Sequence, residues 1–340
     1  MKTANGYVII NDTHFGLRRS SVVTAAALLE LGSAQANHLQ TAVERANAED
    51  RQLLVLGDLF DHSQVSYTVF AQVWQILSKA SHPVIMVRGN HDLEKDRTAL
   101  SAFDLLCRLL GDKAVVEVTK PHRLGVGCWV IPHMDNQTAF DRAVASAVEN
   151  NCSVLLAHAN YDNPFAVFAD HSLNLTAEQA AKFDHVILGH EHNRRDLPGL
   201  DILGAPFPCN IGECSVEKGF HIWDGPGAEV HFVETYSPAY GDYAEIDWHD
   251  LPGAPVHHTQ FIRVVGTAEF HESTDVLHLV DDLRKRSKAL FISNAVTVNG
   301  IELQAVEDAT ASLETFNAEL MFWQMLKPTT KERIHAVLRT

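Results

Sequence analysis

The chain has 340 residues, 46% hydrophobic and 21% charged, and its 27 basic and 43 acidic side chains leave a formal net charge of −16. That length suits one large domain plus a smaller one, with a sizeable core. The acidic balance argues against a whole-surface electrostatic grip on nucleic acid, and the apolar-rich stretch near the start, Val22 to Leu31, is too short for a membrane span.

Tyr7 to Ile10 reads as a strand and runs into Asp12-Thr13-His14. Ala36 to Ala48, with Leu39, Val43 and Ala46 at helical spacing, leads to a strand at Leu53 to Leu56, which ends on Gly57-Asp58-Leu59-Phe60-Asp61. A helix at Val69 to Leu77 then precedes a strand at Val84 to Val87 and the segment Gly89-Asn90-His91-Asp92. After a helix at Ala99 to Leu110, the helices Thr138 to Glu149 and Thr176 to Lys182 precede the last two strands of this kind. Those strands, Val154 to Leu156 and Val186 to Leu188, end on Ala157-His158-Ala159-Asn160 and Gly189-His190-Glu191-His192. Thr176 with Gln179 forms a capping box. The alternation predicts an α/β layered core to about residue 240.

Beyond His192, short strands are expected at Ile202 to Pro208, Gly219 to Trp223 and Glu229 to Val233, completing a second sheet. Leu251 to Pro255 reads as a linker. A strand at Gln260 to Val265, a helix at Ser273 to Lys288 and a strand at Leu290 to Val298 suggest a second small domain. In the last 35 residues Leu313, Phe316, Leu320, Trp323 and Leu326 mark one helix face, Pro328 stops that helix, and Thr329 with Glu332 caps another. The apolar face either packs on its own domain or docks a partner helix.

The five polar segments fall at strand ends, so their His, Asp and Asn side chains converge on one rim. Nitrogen and oxygen donors with no thiolate nearby favour manganese, iron or zinc over an all-oxygen magnesium or calcium site. One carboxylate can bridge two ions, and two ions about 3.5–4 Å apart clamp a phosphate and activate water for in-line attack. Singly each segment is weak, since Asp-x-His serves in turns and a lone His158 reads as a core residue. Five in order point to phosphoester chemistry. His62, His133, His185, His257 and His258 show no partner pattern. Arg18, Arg19, Arg194 and Arg195 offer a local basic grip or are merely a solvated surface. Cys107, Cys128, Cys152, Cys209 and Cys214 read as free, mostly buried thiols, with only proximity to suggest a Cys209–Cys214 pair.

The succession D-x-H, G-D-x-x-D, G-N-H-[DE], a lone His after a strand, and G-H-x-H resembles the calcineurin-like metallophosphoesterases over about residues 7 to 225. Asp12 to Gly16 (D-T-H-F-G), Gly57 to Asp61 (G-D-L-F-D) and Gly89 to Asp92 (G-N-H-D) are more narrowly similar to the Mre11/SbcD nuclease branch. Leu203-Gly204-Ala205-Pro206 and Lys218-Gly219-Phe220 are similar to that branch and to its phage recombination subunits.

The resemblance implies a two-sheet layered α/β core flanked by helices over residues 1–245, a small α+β capping domain over 256–300, and C-terminal helices over 307–340. It implies two divalent metal ions, manganese first, with iron or zinc as alternatives. Asp12, His14 and His192 would hold one ion, Asn90, His158 and His190 the other, and Asp58 would bridge them. His91 would contact the phosphate and assist the leaving oxygen, Asp92 would orient His91, and Asp61 would support the Asp58 loop. The implied activity is DNA phosphodiester hydrolysis beside an SMC-like (Rad50/SbcC-type) ATPase docked on the C-terminal helices. A homodimer is implied through early helices, for which Phe70 to Leu77 or Val22 to Leu31 would serve unless they are core. The alternatives are a phosphoesterase for a small phosphoester, cyclic nucleotide or phosphoprotein, and a non-catalytic DNA- or partner-binding scaffold, which the full ligand set does not support. A strand rather than a signal peptide at the start leads us to expect a cytoplasmic protein with no membrane partner.

Overall fold

The computed structural model describes residues 4–17, 25–94, 99–111, 115–163, 172–236, 243–254, 260–298 and 301–302. The chain forms two compact units, one of residues 1–18 and 28–242, the other of 19–27 and 243–340.

In chain order the elements begin β1 (Tyr7–Ile10), α1 (Ala25–Ala48), β2 (Gln52–Leu56), α2 (Tyr67–Leu77), β3 (Val84–Val87), α3 (Ala102–Leu110) and β4 (Val115–Val118). They continue β5 (His122–Gly125), β6 (Cys128–Ile131), α4 (Gln137–Glu149), β7 (Val154–His158), β8 (Asn160–Tyr161), β9 (Asn174–Leu175) and α5 (Ala177–Ala180). The first unit closes with β10 (His185–Gly189), β11 (Arg195–Leu197), β12 (Leu200–Ile202), β13 (Lys218–Trp223) and β14 (Val230–Tyr236).

Two six-stranded mixed sheets result, ordered β14-β13-β1-β2-β3-β4 and β11-β12-β10-β7-β6-β5. In the first, β1 to β4 are parallel and β13 and β14 are antiparallel additions. In the second, β6, β7, β10 and β12 are parallel between antiparallel edges. Apolar residues on both faces of the central strands explain the sandwich. Val8 and Ile10 pack with Leu39 and Val43 of α1, whereas Ile9 packs with Leu54, Leu56 and Ile85 of its own sheet and Leu156 and Ile187 of the other. On β7, Leu155 and Ala157 face α4 while Val154 and Leu156 face the first sheet. Continuous apolar runs are the signature of parallel strands buried on both sides, and each such side chain contributes about 1.5–3 kcal/mol.

Local chemistry sets the helix starts. Ser66 accepts from the Val69 amide, Asn136 from that of Ala139, and Ser101 with Asp104 and Thr176 with Gln179 form capping boxes. Val73, Ile76 and Leu77 of α2 lie in the core, whereas Tyr67 and Trp74 are exposed. Among the described residues, no helix is long and apolar enough to cross a membrane.

One expectation is corrected. Strands β13 and β14 extend the first sheet rather than completing the second, because β13 pairs antiparallel with β1, Tyr7 opposite Trp223. The second sheet gains only the β11–β12 hairpin, which stops at Ile202; Gly204, at φ +74°, then turns the chain away.

The second unit contains β15 (Tyr243–Asp247), β16 (Phe261–Val265), β17 (Thr267–Ala268), α6 (Ser273–Arg286), β18 (Phe291–Asn294), β19 (Thr297–Val298) and β20 (Ile301–Glu302). Strands β15, β16 and β18 are parallel, and Val276, Val280 and Leu283 of α6 pack with Ile262, Val264 and Ile292. The expected linker at Leu251 to Pro255 is largely inside this unit: Trp248–Gly253 is a 3-10 helix, and Leu251 is buried in the core. The single strand expected at Leu290 to Val298 is two, broken where the Asn294 side chain accepts from the Val296 amide. Residues 307–340, Arg18, Arg19 and the start of the Val22 to Leu31 stretch lie outside the described residues.

Candidate metal centre

The C-terminal ends of β1, β2, β3, β7 and β10 share one rim, and every expected ligand sits on them or on the loop that follows. Backbone hydrogen bonds tie these loops together: the Asp12 amide donates to Gly57 O (3.0 Å) and the His14 amide to Asp58 O (3.1 Å). The His190 amide donates to Asp12 Oδ2 (2.8 Å) and the His91 amide to Asp58 Oδ1 (2.9 Å). Asp12, His14, Asp58 and His190 all take positive φ, between 46° and 91°. Such backbone is costly for residues with a Cβ and persists where surrounding structure over-determines it. Gly57 and Gly89 are glycines for a steric reason. A Cβ on Gly57 would stand 2.1 Å from His158 Nδ1, and one on Gly89 2.1 Å from Asp58 Oδ1.

The side chains form two groups that share Asp58. His14, Asp58 and His91 offer donor atoms within 4.8 Å of one another, and so do Asp58, His158 and His190. His14 Nε2 lies 3.1 Å from His192 Nε2 and 3.8 Å from Asp58 Oδ2. On the other side, His158 Nε2 lies 3.2 Å from Asp58 Oδ2 and 3.0 Å from Asn90 Oδ1, and His190 Nδ1 lies 3.1 Å from that same Asn90 oxygen. The structure thus brings all seven expected ligands together, with Asp12 completing the set through Oδ1, 3.9 Å from His158 Nε2.

The second nitrogens of the rings decide whether cations fit. His14 Nδ1 is 3.1 Å from Asp61 Oδ1, His192 Nδ1 is 2.8 Å from Glu213 Oε1, and His158 Nδ1 is 3.0 Å from Leu56 O. Leu56 O and Glu213 Oε1 are acceptors, so on His158 and His192 Nδ1 carries the proton and Nε2 of a neutral ring presents a lone pair; His14 Nδ1 stands beside the Asp61 carboxylate but makes no hydrogen bond. At His158–Asp58–Asn90 acceptor atoms crowd one another, an arrangement that positive charge relieves, whether a proton on His158 or a bound cation. Asp12, fully buried, leaves Oδ1 without a hydrogen-bond partner, which is costly for a carboxylate. The donor set therefore fits divalent cations.

The electrostatics agree. Burial opposes ionisation of Asp58, but the His158, His14 and His91 rings hold its carboxyl well below the ordinary range. Burial alone would lower His158, yet Asp58 beside it raises that ring to about 9. Positive charge is stabilised where the ions would stand.

Three neighbouring roles change. Asp92 does not touch the His91 ring; its carboxylate accepts the Gly89 (3.0 Å) and Phe60 (3.1 Å) amides, lacing the β2 and β3 loops together. Burial, then the Asp58 charge, pushes Asp92 up to about 7. His91 is instead oriented by Asp61, whose carbonyl lies 2.7 Å from its Nδ1. Asp61 also meets His14 through its carboxylate, so it serves two histidines as well as its own loop. Arg194 pairs with Asp196 and lies over the Phe232 ring, and Arg195 pairs with Glu191, so both basic groups are already engaged.

Glu213 is absent from the sequence expectations, and Cys209 and Lys218 are named there without a place beside the metal centre. Cys209 Sγ lies within 4.8 Å of the His14 and His192 nitrogens, so a thiol does stand near the centre. All five cysteines are free and buried. Glu213 and Lys218 are 4% and 1% exposed. Charged residues buried so deeply beside a histidine mark a supporting shell, but nothing in their local sequence announces burial.

A model of the calcineurin-like phosphoesterase family matches residues 7–194. The chain belongs to that family, which implies metal-dependent phosphoester hydrolysis. No curated protein matches the chain. A solved structure of a protein of unknown function from Aquifex aeolicus is 16% identical, covering 52% of this chain and 93% of that one, with a TM-score of 0.27. The Pseudomonas putida nuclease MPE is 17% identical, covering 67% and 87%, with a TM-score of 0.30.

Proposed function

We propose that the chain is a two-metal phosphodiesterase that cleaves DNA. The observation that carries the hydrolytic part is the position of Asp58, with His14 and His192 on one side and Asn90, His158 and His190 on the other. Two divalent ions held there supply Lewis-acid stabilisation of the phosphate and a nucleophile at neutral pH. Asp12, His14 and His192 would hold one ion, Asn90, His158 and His190 the other, and Asp58 would serve both. Manganese is our first choice; the Cys209 sulfur adds a softer donor that suits zinc or iron.

The family resemblance sets His91 apart from the ligands, although its ring lies with His14 and Asp58 in a group of close donor atoms. Its Nδ1 is engaged by the Asp61 carbonyl, which leaves Nε2 as the nitrogen that would meet the phosphate and, on a protonated ring, donate to the departing oxygen. DNA as the substrate rests on the likeness of D-T-H-F-G, G-D-L-F-D and G-N-H-D to the Mre11/SbcD branch. Next to the rim, a cavity of about 550 Å³ is lined by Arg88, Lys120 and His133 together with Glu94, Asp104 and Asp135. We further propose that residues 307–340 dock an SMC-like ATPase, which would contribute much of the DNA grip that a net charge of −16 denies this chain. The exposed Tyr67 and Trp74 leave α2 available to a second copy.

The test is hydrolysis of end-labelled single- and double-stranded DNA with manganese, beside a chromogenic phosphodiester and a monoester. Cleavage of DNA and the diester is expected; turnover of the monoester alone would assign the chain to small phosphoesters instead. His91→Asn should keep both ions and lose DNA cleavage by about 10²-fold or more. Undiminished cleavage would remove His91 from the reaction.

A further inference from the structure

The segment after β12 returns to the rim and places a buried charge pair behind one ligand. Glu213 Oε1 lies 2.8 Å from His192 Nδ1 and also accepts from the Asn210 side-chain amide, while Oε2 accepts the Cys209 amide at 2.9 Å and faces Lys218 Nζ at 3.7 Å. Lys218 Nζ in turn donates to His192 O (2.5 Å) and Asn193 Oδ1 (3.2 Å). Lys218 thus grips the backbone of His192 while Glu213 grips its ring.

We infer that Glu213 and Lys218 are positioning residues that fix His192 in the tautomer and orientation needed to hold an ion. This rests on the proposed role of His192 as a ligand. The hydrogen-bond inventory carries it. Every neighbour of the Glu213 carboxylate named above is a donor, so the carboxylate is purely an acceptor and the His192 Nδ1 must supply the proton. The lone pair is then left on Nε2, the atom that points at His14 Nε2, 3.1 Å away. An ammonium has three donors and no acceptor, so Lys218 can only reinforce this polarity. Without it, the buried carboxylate would have a donor fewer and its own negative charge uncompensated. Partners of this kind typically alter ion affinity 10- to 100-fold when removed. His192 belongs to the proposed ligand set of one ion, so the effect should fall on that ion and spare the other.

Two measurements test this, neither of which requires turnover. In chelator-treated protein carrying ¹⁵N-histidine, the His192 resonances, identified by their loss in His192→Gln, should report the Nδ1–H tautomer; an Nε2–H tautomer would overturn the inference. In manganese calorimetry, Glu213→Gln should weaken one ion 10- to 100-fold and leave the other unchanged, and Lys218→Met should weaken that same ion. Wild-type affinity at both ions in Glu213→Gln would overturn the role of Glu213, and an effect on the ion held by His158 would overturn that of Lys218. If Glu213→Gln does not fold, the wild-type tautomer alone decides. If the wild type binds no ion, the metal centre itself fails, and the inference fails with it, whereas failure of the inference alone leaves two ions bound to the wild type.

Discussion

Gly89 shows how a residue with no side chain can govern the chemistry. A Cβ there would meet Asp58 Oδ1 at 2.1 Å and the Asp58 amide at 2.3 Å, and the backbone amide cannot yield as a flexible side-chain end would. Gly89→Ala should therefore displace the bridging carboxylate and lower ion affinity roughly tenfold or more, with a stability loss of about 1–3 kcal/mol. Calorimetry with manganese and urea unfolding in chelator check the two parts; wild-type affinity would show that the Asp58 loop gives way freely. The convergence of the expected ligands was legible in the sequence because each is a metal-binding donor type directly after an apolar strand. Their supports were not. Asp61 was visible in G-D-L-F-D, yet that it serves His91 through its carbonyl and His14 through its carboxylate depends on two loops meeting, as does the exchange of Asp92 for Asp61 beside His91.

On β13, buried His221 has no hydrogen-bond partner at Nδ1, and burial, with Arg194 nearby, lowers its pKa to about 3. An unfolded histidine titrates near 6.5, so on acidification the unfolded chain binds a proton that the native state refuses, and stability falls with pH. Between pH 7 and pH 5 this group alone should cost about 2 kcal/mol. His221→Leu, measured by urea unfolding in chelator at both pH values, should show a pH-dependent loss smaller by about that amount; an unchanged loss would place the acid sensitivity elsewhere. The same strand marks the limit of pattern reading for elements. Gly219 to Trp223 has an apolar run that suits a place in either sheet, and only its long-range pairing with Tyr7 to Ile9 puts it in the first. The strands carrying ligands were easier, because parallel strands buried on both faces advertise themselves as unbroken apolar runs.

At the scale of the molecule, every expected ligand lies in the first unit, which has its own three apolar clusters. Truncation after residue 307 should therefore leave ion binding intact while abolishing capture of the proposed SMC-like ATPase; loss of folding would show instead that residues 307–340 are needed for the fold. The layered arrangement was readable from the strand and helix alternation, whereas the start of the second unit at Tyr243 was not, because β15 finds its partner β16 across the Pro- and Gly-bearing stretch that reads as a linker. The central claim is that one carboxylate, Asp58, joins two ion sites. Manganese bound per chain, measured by equilibrium dialysis of the wild type and of Asp58→Asn, tests it most directly. About two ions are expected in the wild type and markedly weaker binding of both in the variant; one ion or none in the wild type, or two held undiminished by Asp58→Asn, would rule out a shared carboxylate.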